Sequence, residues 1–438
     1  MTRDSSPKDL LPHLQDLLKL ARGAGASGVE LLHTRIVERR MTSSGASASP
    51  IEAQEEDVLN GRLFVETGAS ATFSINANLK GRHPASIEKA IARAKKSSPN
   101  PGAGPYERMD INQRGLGLHD PRYATIGQEA LDELVEINQS GLETPHSLSY
   151  TDRFMNRFFI SSTGYHASST STFYKLRLQN QVAKWGLPME ELACGRAFSH
   201  VGSIPFGRLL DSRIQGLSET GNAPSGPLPL VLPTRVVAWL LNELAPIFAV
   251  REAESKHRFL RKLPGGVLGT RILHVVDDPV APGGVRTRPF DDRGIAPIAV
   301  PVIREGVVGN YFLDPKTARS RDIRPTGHFW NGKIRASNLV LRPGNRSRTQ
   351  MLTEVPLSLE LDHLNGQLDL KTGHLDAWGP ALILDKGKPV GAVKKVHLNF
   401  PISELFSAFK EVASNQLRSH AVDSATVLTL PLDVTTSA

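Results

Sequence analysis

The stretch Ile272-Leu-His-Val-Val-Asp-Asp-Pro-Val-Ala-Pro-Gly-Gly284 opens as a valine-rich apolar run and stops at Asp-Asp-Pro. Proline lacks the N–H that a ladder needs, and glycine accepts turn geometry, so the run Ile272 to Val276 reads as a short strand closed by tight turns. The pattern repeats downstream at Ile298 to Ile303, Val307 to Leu313, Asn338 to Leu341, Val355 to Leu361 and Ala381 to Leu384, each bounded by Gly, Pro, Asp or Asn. Residues 227–438 are therefore expected to form a large, mostly antiparallel β domain with few helices. It opens with the strand Leu230 to Leu232 and a helix from about Thr234 to Val250, and has a late helix from Ile402 to Ala413.

Working back toward the N-terminus, Leu10, Leu11, Leu14, Leu17, Leu18 and Ala21 give a helical stripe over Ser6 to Arg22. A strand Val29 to Val37 follows, then a polar break at Thr42 to Ser49. A strand pair turning near Gly68 within Arg62 to Ile75 and a helix Ser86 to Lys96 come next. Pro and Gly in 97–105 mark a linker, so residues 1–104 form an N-terminal α+β unit. Residues 105–226 form a central unit: a helix Ile126 to Ser140, strands Leu148 to Ile160 and Ser171 to Val182 turning at Ser162-Thr-Gly164, and a helix Phe206 to Leu217. The fold class is α+β.

The chain has 438 residues, 39% hydrophobic and 22% charged. That composition is globular and excludes fibrous or wholly disordered chains. Cys194 is the single cysteine, so an internal disulfide and any site needing two thiolates from this chain are excluded, and a reducing, cytoplasmic setting is expected. No apolar run reaches the length of a membrane span. The net charge of +8 concentrates between Arg251 and Arg348, where 19 Lys/Arg face 9 Asp/Glu. A basic stretch raises nucleic acid or an acidic partner, but interleaved aromatics and a helix-turn-helix pattern are missing, which argues against nucleic acid.

The common catalytic signatures are absent. There is no His-Glu-x-x-His helix for zinc, no phosphate loop and no Gly-x-Gly-x-x-Gly fingerprint; Gly115-Leu-Gly117-Leu-His-Asp120 fails at its last position. Gly68-Ala-Ser-Ala-Thr72 lacks the second glycine of a nucleophile elbow. Cys194 is a small packed residue or a nucleophile served by a remote histidine. The densest polar constellation is Asp277, Asp278, Arg288, Asp291 and Asp292. Such carboxylates cap turns and pair with arginine, or else hold a hard cation such as magnesium or calcium. Asp362, Asp369 and Asp376, with His363 and His374 among them, form a weaker set of the same kind.

The pieces Leu273 to Gly284, Arg288-Pro-Phe-Asp-Asp-Arg-Gly294, Val302-Ile-Arg-Glu-Gly-Val-Val-Gly-Asn-Tyr311, Thr317-Ala-Arg319 and Pro325-Thr-Gly327 resemble, in that order, the C-terminal half of the TldD/PmbA metallopeptidase family. Fainter similarity runs back through Ser162-Thr-Gly-Tyr165. The resemblance implies a heterodimer of two related subunits. A TldD-type chain carries zinc on His-Glu-x-x-x-His and a later Cys, and a TldE/PmbA-type chain lacks these ligands. The corresponding helix here reads Leu240-Leu-Asn-Glu-Leu-Ala-Pro-Ile-Phe248, with Asn242 and Ile247 at the histidine positions and Glu243 retained. The family's Thr-Gly-Asp-Phe-Ser stretch appears as Thr372-Gly-His-Leu-Asp376.

The resemblance implies a non-catalytic subunit that completes a peptide- or amide-hydrolysing complex, general or dedicated to maturing one peptide. No cofactor is expected on this chain and zinc on its TldD-like partner. A peptide strand added to a sheet edge, at Ser147 to Thr172 or in the C-terminal β region, is the expected grip. The rival reading is a self-sufficient hydrolase using the aspartates with His374, or Cys194.

Overall fold

The computed structural model describes residues 7–44, 48–76, 83–100, 103–106, 110–139, 146–180, 189–218, 221, 226–249 and 265–437. Ser6, Ser140, Val182 and Val250, the outer ends of four expected elements, lie outside them, as does the basic run 251–264.

Leucines at helical spacing form α1 (Pro7–Gly23), followed by three strands, β1 (Gly28–Ser43), β2 (Glu52–Phe64) and β3 (Ser70–Asn76), and α2 (His83–Lys96). After a 3-10 turn at Pro121–Thr125 come α3 (Gln128–Gln139), β4 (His146–Ser161), β5 (His166–Asn180), β6 (Met189–Gly195), α4 (Ser199–Gly202) and α5 (Phe206–Gly216). The six strands make one antiparallel sheet in the order β3-β2-β1-β4-β5-β6. The expected boundary at residue 104 thus falls inside one sheet, because β1 pairs with β4 along nearly its whole length. Pro and Gly near 100 mark a crossing between strands of the same layer.

Side chains alternate across this sheet, as strand geometry requires. Val29, Leu31, Leu59, Leu63, Phe158 and Ile160 pack under α1 and α2. Met41, Leu148, Tyr150, Tyr174 and Leu176 pack under α3 and α5. Each fully buried Leu or Ile contributes about 1.5–3 kcal/mol. The helices cover one face only. A buried pair ties the sheet to the 3-10 turn: Arg39 Nε lies 2.9 Å from Asp152 Oδ1, its Nη1 donates to the Ile126 carbonyl at 2.8 Å, and its guanidinium covers the Tyr123 ring at 4.3 Å.

The C-terminal part begins with β7 (Leu228–Leu232) and α6 (Thr234–Leu244). The strands β8 (Val275–Asp277), β9 (Val300–Arg304), β10 (Val307–Val308), β11 (Phe329–Trp330), β12 (Lys333–Ile334) and β13 (Leu339–Leu341) follow. Then come β14 (Ser358–Leu361), β15 (Asn365–Asp369), β16 (His374–Asp385), β17 (Lys388–Pro401) and β18 (Phe409–Val412). The last are β19 (Leu417–Ser419), β20 (Val422–Ser424), β21 (Val427–Leu432) and β22 (Thr435–Ser437). One sheet runs β10-β9-β8-β13-β20-β19 and another β18-β21-β7-β14-β16-β17-β22, with β15 on β16. Among the named strands of the described residues, β13–β20 and β14–β7 pair in parallel and the other pairs are antiparallel. The main core lies among these layers and nearly engulfs α6, whose Val236, Val237, Leu240, Leu241 and Leu244 are buried in it.

The architecture is α+β with a sheet-rich C-terminal part, as the patterns predict. Several elements differ: the strand expected over Ile272 to Val276 begins only at Val275, and the one expected over Val307 to Leu313 is confined to Val307–Val308. The helix expected over Ile402 to Ala413 ends at Ser407, and Phe409 to Val412 pair with β21 instead, so sheet formation overrides local helical spacing. Pro246 ends α6 at Leu244, and Ala245–Phe248 tightens into a 3-10 turn. The reading also missed most of the acidic, exposed first half of β2 and the lysine-rich β17.

Candidate functional site

The uncovered face of the N-terminal sheet looks across a cleft of about 1550 Å³ at loops of the C-terminal part. Glu30, Leu32, Thr34 and Ile36 of β1, Met155, Arg157 and Phe159 of β4, and Arg196 at the end of β6 form the sheet wall. Arg286, Arg288, Asp292, Arg293, Phe329 and Trp330 form the opposite wall, with Asn242, Cys194 and His420 also exposed to the cavity. Nine Lys/Arg and four Asp/Glu line it, so the cavity favours an anionic or electron-rich ligand.

The aspartate constellation organises the opposite wall. Asp291, buried, accepts from the backbone N–H of Arg293 at 2.8 Å, Ile295 at 3.1 Å and Phe329 at 3.2 Å. Burial pushes its carboxyl up to about 7. Asp277, fully buried, accepts from the Ser337 N–H at 2.6 Å and meets His328 Nε2 at 3.0 Å; Asp278 accepts from the Val280 N–H at 3.0 Å. Asp292 pairs with Arg157 across the cleft floor at 2.5 Å. Gly294 adopts φ +70°, and a Cβ there would sit 2.4 Å from the Phe159 ring, so only glycine lets this turn seat on the sheet.

His374 is not part of this group: it lies on β16, where its Nε2 meets Asn399 Oδ1 at 2.5 Å. Asp376 pairs with His397 at 2.7 Å, and Asp369 accepts from the Lys371 N–H at 2.8 Å. Asp362 draws in Arg213 at 2.5 Å, Arg235 at 2.6 Å and His363 at 2.8 Å, and the two guanidiniums with the histidine hydrogen bond hold its carboxyl, against the cost of burial, well below the usual range. Among the described residues no group of three or more His, Cys, Asp and Glu is arranged to hold a metal ion.

Asn242 reaches the cleft, whereas Ile247 is packed in the C-terminal core beyond the break at Pro246. A neutral amide and a buried hydrocarbon do not make a zinc site. Burial pushes the Cys194 thiol up to about 11, opposite to what an activated thiolate or a zinc ligand needs. Burial likewise moves the nearby His420 down.

Two groups at the site went unread in the sequence. Glu30 is buried with its carboxyl raised to about 7 by desolvation, despite Arg293 and Arg319 nearby. Its signal was a lone carboxylate inside the apolar run Val29-Glu-Leu-Leu32. Arg196 reaches from β6 to the carbonyls of Gly284 at 3.1 Å and Thr287 at 2.9 Å, a long-range contact with no local signature.

Comparison with known proteins places this geometry. Residues 225–436 match the PmbA/TldA metallopeptidase C-terminal domain. The chain is similar to metalloprotease PmbA of Escherichia coli, 22% identical over 407 residues, covering 89% of this chain and 85% of that protein. It is 23% identical over 292 residues to a metalloprotease of Methanocaldococcus jannaschii, covering 61% of this chain and spanning only 62% of that relative's length. The crystal structure of TldE from Thermococcus kodakarensis superposes with a TM-score of 0.83 at 15% identity, over 96% of this chain and 99% of that one, which shows a shared fold. With the matched domain, the relatives and the ordered motifs between Leu273 and Gly327 in agreement, the chain belongs to the TldD/PmbA family.

Proposed function

We propose that this chain is the non-catalytic, TldE/PmbA-like subunit of a two-subunit zinc metallopeptidase complex, paired with a TldD-like chain that carries the zinc. The observation that carries the reading is the α6 turn, where Asn242 faces the cleft and Ile247 is buried at the positions that hold histidines in zinc-bearing relatives. Its task is to hold an extended peptide while the partner's metal polarises the scissile bond and activates water. β4 is interior to the sheet and cannot take an added strand. On the outer edge of β5 the Thr172 N–H already donates to the Leu118 carbonyl, and the Thr172 and Ser168 carbonyls accept from Arg196 and Gln113, so on this sheet the edge strand β3 is the place left for one. A basic cleft suits carboxylate-bearing substrates, and a cytoplasmic setting suits a lone free cysteine.

The test is elemental analysis and peptide hydrolysis on the chain alone and co-purified with a relative bearing His-Glu-x-x-x-His. A metal-free, inactive chain with zinc and activity only in the pair supports the reading. Stoichiometric metal with activity in the lone chain overturns it. Cleavage of a few peptides rather than of any unfolded chain would mark a dedicated maturation pathway.

A further inference from the structure

Trp330, on the C-terminal wall of the cleft, is flanked by two guanidiniums, Arg288 at 5.6 Å and Arg335 at 5.5 Å from its ring centre. Three N–H groups of this cluster, Trp330 Nε1, Arg288 Nε and Arg335 Nε, are buried with no hydrogen-bond acceptor among the described residues. Arg288 uses its other nitrogens on the Arg286 and Gly327 carbonyls, both at 3.1 Å, and Arg286 makes no ion pair among the described residues. The nearby carboxylates are committed elsewhere: Asp277 to His328 and Ser337, Asp291 to three backbone N–H groups, Asp292 to Arg157. The guanidiniums also oppose one another, Arg286 against Arg335 and Arg196 against Arg288, and burial lowers the basicity of Arg286 and Arg288. Buried donors without acceptors are costly, and the guanidiniums crowded on this wall leave positive charge that an anion bound against Arg286 at the cleft surface would offset.

We propose that Arg286, Arg288 and Trp330 form a carboxylate subsite that anchors a peptide lying along the cleft. The assignment deepens the reading of this chain as a peptide-holding subunit and rests on it. The guanidinium of Arg286, half-buried on the cleft wall, presents a planar donor fork that matches a carboxylate, and Arg288 and Trp330 back it with charge and ring surface. The rest of the cleft fits a peptide better than a nucleic acid. Leu32, Ile36, Met155 and Phe159 give the sheet wall an apolar character, and Glu30, Glu56, Asp292 and Asp314 interrupt any continuous basic track for phosphates. The carboxylate comes from an Asp or Glu side chain or from the peptide's C-terminus.

The test uses one unstructured fluorescent peptide in four forms: a central Glu or Gln, each with a free or amidated C-terminus. Anisotropy on the full chain reads binding, and KM in the complex with the zinc-bearing partner reads the same preference. The fully neutral form is expected to bind about tenfold more weakly than the best charged form. Arg286→Gln is expected to erase that difference, while Arg62→Gln, on the sheet wall, preserves it. Which charged form binds best names the carboxylate's source. Equal binding and KM for all four forms, or a preference that survives Arg286→Gln and Arg288→Lys, overturns the subsite. Displacement of the peptide by a single-stranded oligonucleotide that binds more tightly overturns it too. Metal content and hydrolysis of the neutral peptide by the complex report on the subunit reading separately, so that reading can stand while the subsite falls.

Discussion

Arg157, on β4, holds Asp292, on the turn of the C-terminal wall, at 2.5 Å and also donates to the Phe290 carbonyl at 3.1 Å. The Arg157 side chain is 8% exposed and that of Asp292 22%, so removing either leaves the other poorly compensated. Asp292→Ala and Arg157→Ala are each expected to cost about 2–3 kcal/mol in urea unfolding, and the double variant less than their sum. Additive effects in that double-mutant cycle would show that the two groups act independently.

Asp362 joins Arg213 of α5 and Arg235 of α6 at a point where the N-terminal sheet layer meets the C-terminal sheet. Asp362→Ala leaves Arg213 buried with Glu191 and the Glu190 carbonyl as its partners and is expected to cost about 3–5 kcal/mol, with Asp362→Asn milder. Since the folded-state pKa of Asp362 is depressed, its contribution is present above the unfolded carboxylate pKa and fades as pH falls below it.

Glu30 runs the other way. Its folded pKa of about 7 lies above the ordinary glutamate value of 4.5, so the folded state binds the extra proton and this group's stabilisation is lost as pH rises from about 4.5 through 7. Glu30→Gln is expected to remove that slope, at most about 1.4 kcal/mol per pH unit, when its unfolding free energies are subtracted from those of the parent. A difference that is flat from pH 4.5 to 7 would show that Glu30 is ionised when folded.

Gly294→Ala asks a residue with a Cβ to hold φ +70° against the Phe159 ring. A loss of about 1–3 kcal/mol is expected, and a larger residue there should unseat the turn. Intrinsic proteolysis of the loop around Asp291 gives a second readout, since an unseated turn exposes its backbone.

If the aspartates serve the turns through N–H groups and arginines, chelation with EDTA should leave the thermal midpoint of the lone chain unchanged. A cation held between Asp277 and Asp292 would lower it on removal.

Much of the architecture was legible in the sequence because local chemistry agrees with tertiary packing. The helix at Leu10 to Ala21 and the strand at Val29 onward declare their spacing, and Gly68, with φ +73°, turns the chain between β2 and β3. What failed to register depends on contacts far apart in sequence. Phe409 becomes a strand residue only because β21 lies beside it, and the division at residue 104 dissolves because β4 completes the sheet begun by β1. The site was half visible. Arg288 and the aspartates stood out in a Pro- and Gly-rich stretch, but their opposition to Arg157 and Arg196 appears only after folding. Asn242 and Ile247 stand out through family resemblance alone, since an amide and a buried hydrocarbon carry no metal signature of their own.

The alternation along β1 assigns neighbouring letters of the gene to different tasks: Val29 and Leu31 are committed to the helix layer, Glu30 and Leu32 to the cavity. Substitutions at the second set can retune what the cavity accepts while the first set keeps the protein folded. A single-residue insertion would exchange the two sets and spoil both, so this strand can diversify by replacement but not by change of length.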